Sequence, residues 1–149
     1  MESIVPTNAS TYRTISEDAH ASMRELMAAG RRPRGDGGWI ITYDPTRSSF
    51  KQACITIVFA SIWLEASTHL AIVRQHGLAK AKEFDRRSYE EKLRLVGQSD
   101  TPLLARAKRL QGARRELVHE KSHMDSGELR FAQEEAENAH ELLTALQDL

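Results

Sequence analysis

Residues 53–64, ACITIVFASIWL, decide the fold. On a helix, Ile55, Ile57, Val58, Phe59, Ile62, Trp63 and Leu64 point in nearly every direction around the axis, and a helix apolar on all sides must be enclosed by others. The stretch falls short of the roughly 20 residues that cross a bilayer and carries Thr56 and Ser61. It reads as a buried core helix, and no membrane partner is expected. Upstream, Ser49 and Gln52 match a capping box, and the helix they open should run to about Gly77 as the longest of the chain. Glu65 stands where the apolar stretch turns polar, near Thr68 and His69. A carboxylate at the edge of a core needs a partner, so Glu65 is a candidate to orient an arginine from another helix.

Reading outward, Ser16 with Glu17 and Asp18 marks a helix start, Ala19, Met23, Leu26 and Met27 repeat at helical spacing, and Gly30 ends the run. Residues 1–15 are expected to be a flexible N-terminus. Residues 30–46 form a basic, Gly- and Arg-rich loop and arm: GRRPRGDGGW should lack regular structure, and Trp39-Ile40-Ile41-Thr42-Tyr43 has no second strand-like run to pair with. Ser88 and Glu91 make a second capping box for a short helix ending at Gly97, and Thr101-Pro102 starts another in which Leu103, Ala107, Leu110, Arg114, Leu117 and Lys121 share a face, widened by Leu104, Gln111 and Val118. Asp125 and Glu128 open a last helix with Leu129, Ala132, Ala136, Ala139, Leu143 and Leu146 along one seam, inside a bundle or between two copies. The predicted fold class is all-α, an antiparallel bundle of four to five helices with a long central helix, one domain over residues 1–149.

The 149 residues hold 21 basic and 21 acidic side chains, so overall charge draws no polyanion and any electrostatic partner must meet a local patch. The single cysteine, Cys54, forms no internal disulfide. With an N-terminus lacking a basic start and an apolar stretch of signal-peptide length, this points to the cytoplasm. Charge is unevenly placed. The segment 101–121 carries Arg106, Lys108, Arg109, Arg114, Arg115 and Lys121, and the last helix carries Glu128, Glu134, Glu135, Glu137 and Glu141. Either the two helices attract each other or the basic one faces phosphates.

The densest set of reactive side chains is RRELVHEKSH, residues 114–123. On a helix Arg115, His119, Ser122 and His123 share a face, with Arg114 at its rim. Histidine moves protons at neutral pH and an arginine fork grips phosphate. Together they suit RNA cleavage without metal or cofactor, in which a base activates the ribose 2′-hydroxyl, an acid protonates the leaving oxygen and fixed positive charge stabilises the phosphate. The catalytic candidates are Arg114 and His119, supported by Arg115, Glu65, Ser122 and His123. Arg106, Lys108, Arg109 and Lys121 are candidate RNA contacts.

A long apolar helix ending in SIWLEASTHL, a following YEEKLRLVG helix and then LLARAKRLQGARRELVH together resemble the HEPN superfamily of all-helical nucleotide- and RNA-associated domains, over residues 45 to 145. The resemblance implies that Arg114 and His119 match the ends of the family's motif, that Arg114 binds the scissile phosphate and His119 handles protons, and that two protomers of a homodimer share the site. It also implies a toxin or phage-defence setting with an antitoxin or other regulatory protein. Arg115 stands where the family most often has asparagine, aspartate or histidine, and Lys121 where members paired with a nucleotidyltransferase antitoxin carry the modified tyrosine. The same resemblance leaves a second reading, a non-catalytic module binding RNA, nucleotide or protein.

His119-Glu120-Lys121-Ser122-His123 also spells H-E-x-x-H, the zinc-peptidase pattern. The longer metzincin pattern fails, since neither its glycine nor its third histidine stands at the required spacing after His123, so Glu137 or Glu141 would have to complete the site. Cys54 reads as a structural thiol, and His69 and His76 as helix-end or packing residues.

Overall fold

The computed structural model describes residues 7–42, 44–118 and 132–149. Among these the chain forms α1 (Ala9–Ala29), β1 (Arg31–Pro33), β2 (Trp39–Ile41), α2 (Ser48–His76), α3 (Leu78–Phe84), α4 (Tyr89–Leu95), α5 (Thr101–Val118) and α6 (Ala132–Ala145). The all-helical bundle expected from sequence is the observed class, with a small antiparallel hairpin added. The described residues hold six helices rather than four or five, because α3 was not anticipated. Gly77, at φ 85, ends α2 as expected and is also the residue from which α3 starts, without a side-chain cap to announce it.

Central α2 touches α1, α3, α4, α5 and α6. Ile57 and Leu64 are fully enclosed and Trp63 nearly so, packed in one core with Met23, Leu93, Leu104, Leu110, Leu142 and Leu143. Ile55 is the side left open, at 36% exposure. The polar residues of this helix cause no conflict: Thr56, Ser61 and Thr68 donate their hydroxyls to the carbonyls of Gln52, Ile57 and Leu64 one turn back. At 29 residues α2 is long and apolar enough to cross a membrane, which the 53–64 stretch alone is not, yet its buried residues serve as the shared core of the bundle.

Two helix starts differ from the sequence reading. Helix α1 begins at Ala9, so residues 9–15 are helical rather than flexible, and Ser16 is buried within the helix, where its hydroxyl donates to the Thr56 carbonyl of α2 at 2.9 Å. Helix α2 is not capped by Ser49: Asp44 accepts from the backbone N–H groups of Thr46 and Ser48, at 2.8 and 2.9 Å. That turn holds Arg47 at φ 54. The Ser88–Glu91 capping box is present in both directions. In α5, Asp100 accepts from Leu103 N–H, leaving Pro102 in the first turn where its missing donor is harmless. Ala132, Ala136, Ala139 and Leu143 of α6, with Leu146 just after it, form a buried seam inside this bundle, rather than one left open for a second copy. Leu129, Asp125 and Glu128 lie outside the described residues.

Residues 31–41 are not structureless. Arg31, Arg32 and Pro33 pair with Ile41, Ile40 and Trp39, so the partner strand for Trp39 comes from the basic segment itself. Gly37 at φ 86 allows the tight return, and Asp36 accepts from Gly38 N–H.

Helices α1 and α6 meet through two histidines. The His20 and His140 rings stack at 3.8 Å and 8°. His20 Nε2 lies 3.0 Å from Glu137 Oε2 but off the line of its N–H, so this buried nitrogen and His140 Nδ1 lack a hydrogen bond. Burial lowers the pKa of His140 and the neighbouring His20 lowers it further, against Glu137 and Glu17, with Arg24 also lowering it.

Two tests follow from this packing. Leu64→Ala should cost about 2–5 kcal/mol in a urea melt, whereas Ile55→Ala on the open side of the same helix should cost well under about 1.5 kcal/mol. His140 protonates less readily folded than unfolded, so stability should be full above its ordinary value of 6.5 and fall as pH drops below it. His140→Asn should flatten that decline in melts taken between about pH 7.5 and 5.5. The carboxylates of Asp44 and Glu91, held below their ordinary values by hydrogen bonds, stay ionised across this range and lose their contribution only in more acid solution.

Candidate functional site

Three helices converge on Arg114. Its Nη1 lies 3.0 Å from Glu65 Oε1 of α2, and the Tyr89 hydroxyl of α4 donates to the same oxygen at 3.1 Å. Gln111, about one turn before Arg114 on α5, accepts from the Tyr89 N–H at 3.2 Å. That N–H belongs to the first turn of α4, where no helical carbonyl is available, so Gln111 supplies the acceptor. The capping box that begins α4 at Ser88 thereby fixes where the Tyr89 ring enters the core.

Tyr89 is 2% exposed. Burial pushes its phenol up to about 12, and the Glu65 charge adds to this while Arg114 opposes it. At neutral pH it therefore keeps its proton and donates it to Glu65, holding that carboxylate toward Arg114. Glu65 and Arg114 are each about a third exposed, at 38% and 34%, and an ion pair so open to solvent typically contributes at most about 1 kcal/mol. Its effect is to orient the guanidinium. Nε of Arg114 is buried and has no acceptor. Gln111, Arg114, Arg115 and Val118 line a recess of about 90 Å³ at this end of α5.

The other cations of α5 divide by face. Arg106 pairs with Glu141 and reaches Asn138, and both oxygens of Glu135 accept from Arg109 Nε at 3.0 Å. These two arginines hold α5 to α6, which is the attraction between oppositely charged helices anticipated as one of two readings. Lys108 and Arg115, seven residues apart, project from the solvent side about two turns from one another. His119, Lys121, Ser122 and His123 lie outside the described residues. Val118, expected to widen the buried face, is 51% exposed.

The histidines of the zinc alternative lie outside the described residues; of its third-ligand candidates, Glu137 sits against His20 and Arg24, and Glu141 against Arg106. Among the described residues no cluster of three histidine, cysteine or acidic side chains is placed to hold a metal. Cys54 is half-buried, and His76 meets the Leu95 carbonyl at the end of α2. Sequence reasoning named Glu65 and Arg114 but missed Tyr89 and Gln111. The capping box one residue before Tyr89 was the only available signal for it, and nothing local marked Gln111.

Comparison with known proteins finds no similar family model, no similar curated protein and no similar solved structure.

Because its folded pKa is raised, Tyr89 contributes stability that is complete below pH 10 and is lost as pH rises toward 12. Tyr89→Phe should remove that alkaline component, and Glu65→Gln should move it to lower pH. Denaturation at a series of alkaline pH values, with absorbance reporting phenolate, measures both.

Proposed function

We propose that the chain is a HEPN-like domain that cleaves RNA without a metal, at a composite site shared by two protomers. One observation carries the reading: a guanidinium held at Nη1 by a carboxylate from another helix, with Nε unpaired, beside a recess it shares with Arg115. A phosphate in the recess accepts from the part of the guanidinium left open to solvent, and a pre-oriented arginine stabilises the charge that builds on it. In this reading Glu65 and Tyr89 are positioning residues for Arg114. His119 takes the proton of the ribose 2′-hydroxyl as that oxygen attacks phosphorus, and the partner's copy of the same side chain protonates the departing 5′-oxygen. The products are a 2′,3′-cyclic phosphate and a free 5′-hydroxyl. The setting is cytoplasmic, with a regulatory protein restraining the activity as in toxin or phage-defence systems.

A second reading is favoured by Arg115, a solvent-facing cation where the cleaving members place an acceptor. It makes the domain a non-catalytic RNA-binding module using the same end of α5.

The deciding experiment is RNA cleavage in EDTA by the parent, His119→Ala and Arg114→Ala, with light scattering to record the oligomeric state. The parent should cut as a dimer, and loss of the proton-transfer group should slow it about 10²- to 10⁴-fold. Arg114→Ala should lose at least about 10²-fold. Equal cutting by all three proteins would show that the site is elsewhere, and a folded, dimeric but inert parent selects the binding module.

A further inference from the structure

The β1–β2 hairpin presents the most exposed large apolar side chains of the described residues on a basic frame. Trp39 is 60% and Ile41 72% exposed, while the second tryptophan, Trp63, is 5% exposed in the core. Residues alternate faces along a strand, so the register Arg31↔Ile41 and Pro33↔Trp39 puts Trp39, Ile41, Pro33 and Arg31 on one face, with Arg32 and Ile40 on the other. Arg31 is thus a diagonal neighbour of the Trp39 ring, about 7–8 Å away at the backbone. All strand residues are exposed, and among the described residues Arg31 and Arg32 make no ion pair; Arg34 meets Asp36 at 3.1 Å. In a chain of zero net charge, this segment gathers three arginines against one acid around an open aromatic ring.

From this we infer that the hairpin is a docking arm for single-stranded RNA, with Arg31 and Arg32 meeting phosphates and an unpaired base stacking on Trp39. The inference rests on the RNA reading above and adds a second contact surface to it. The arginines without ion pairs suit a polyanion, and the exposed ring suits a flat partner, which an unpaired base supplies and a duplex withholds. A lipid surface fits less well: the hairpin tip is Gly35-Asp36-Gly37-Gly38, so an acid and glycines lead, and the apolar side chains lie along one face behind them.

The arrangement makes its own optical probe. Since Trp63 is enclosed, quenching of tryptophan emission by RNA reports Trp39. A 12-nucleotide single-stranded RNA without a label should quench the parent protein, and the same RNA carrying fluorescein should bind, by anisotropy, with strong salt dependence. Trp39→Ala should weaken it about 5- to 100-fold, the loss of one stacked base, and Trp39→Phe should retain most of the affinity. Arg31→Ala with Arg32→Ala should weaken binding and lower the salt slope by about 1.4. Arg114→Ala should still quench while losing cleavage. Quenching by RNA in a protein that cuts nothing would end the nuclease reading and keep the arm. Unchanged emission at saturating RNA, equal binding by Trp39→Ala, or a blue shift confined to anionic phospholipid vesicles would overturn the arm, whatever the cleavage assay returns.

Discussion

A helix that is apolar around most of its circumference cannot stand at a surface, and the rest of this fold follows from covering α2. Five other helices are laid against it, and each supplies what its neighbouring face of α2 lacks. α1 brings Met23 to the core, α4 Leu93, α5 Leu104 and Leu110, and α6 a seam of alanines and leucines small enough to approach closely. Burial of this kind is the main favourable term in folding. The hydroxyls of Thr56, Ser61 and Thr68 satisfy themselves within α2, so they add no unpaired polar group to the core.

Electrostatics then sorts the surface that packing leaves over. Helix α5 is basic on several sides, but its arginines have different fates because each faces a different neighbour. Arg106 and Arg109 face the carboxylates of α6 and are absorbed into the bundle. Arg114 faces α2 and α4, where Glu65 and Tyr89 fix its direction without neutralising every donor. Lys108 and Arg115 face water. A segment that reads as one positive patch along the chain becomes, once folded, one set of arginines bound to α6 and another set of cations turned toward α2, α4 and solvent.

Cross-helix partners also explain which parts of the site sequence reading reached. Glu65 stood out because a charge ends an apolar run, and Arg114 because it precedes a histidine at a suggestive spacing. Tyr89 gave no such signal: an aromatic residue in the first turn of a short helix reads as core, and its hydroxyl matters only because Glu65 lies at hydrogen-bond distance, 24 residues away in the chain. Gln111 matters only because α4 begins beside it. The hairpin was missed for a related reason, since Arg31 to Pro33 has no strand-like composition and extends only because the turn at Gly37 returns Trp39 alongside it.

The sequence by itself determined what is local. The enclosed central helix, the Ser88–Glu91 capping box, the stops at Gly30, Gly77 and Gly97 and the apolar seam of α6 all follow from residues within a turn or two of each other, where backbone geometry dictates which side chains meet. The tertiary structure alone decided which arginine stays available, which tyrosine supports it and where the exposed tryptophan stands. Those outcomes depend on how helices rotate and slide against one another, and that is set by the packing of the whole core rather than by any short stretch of the chain.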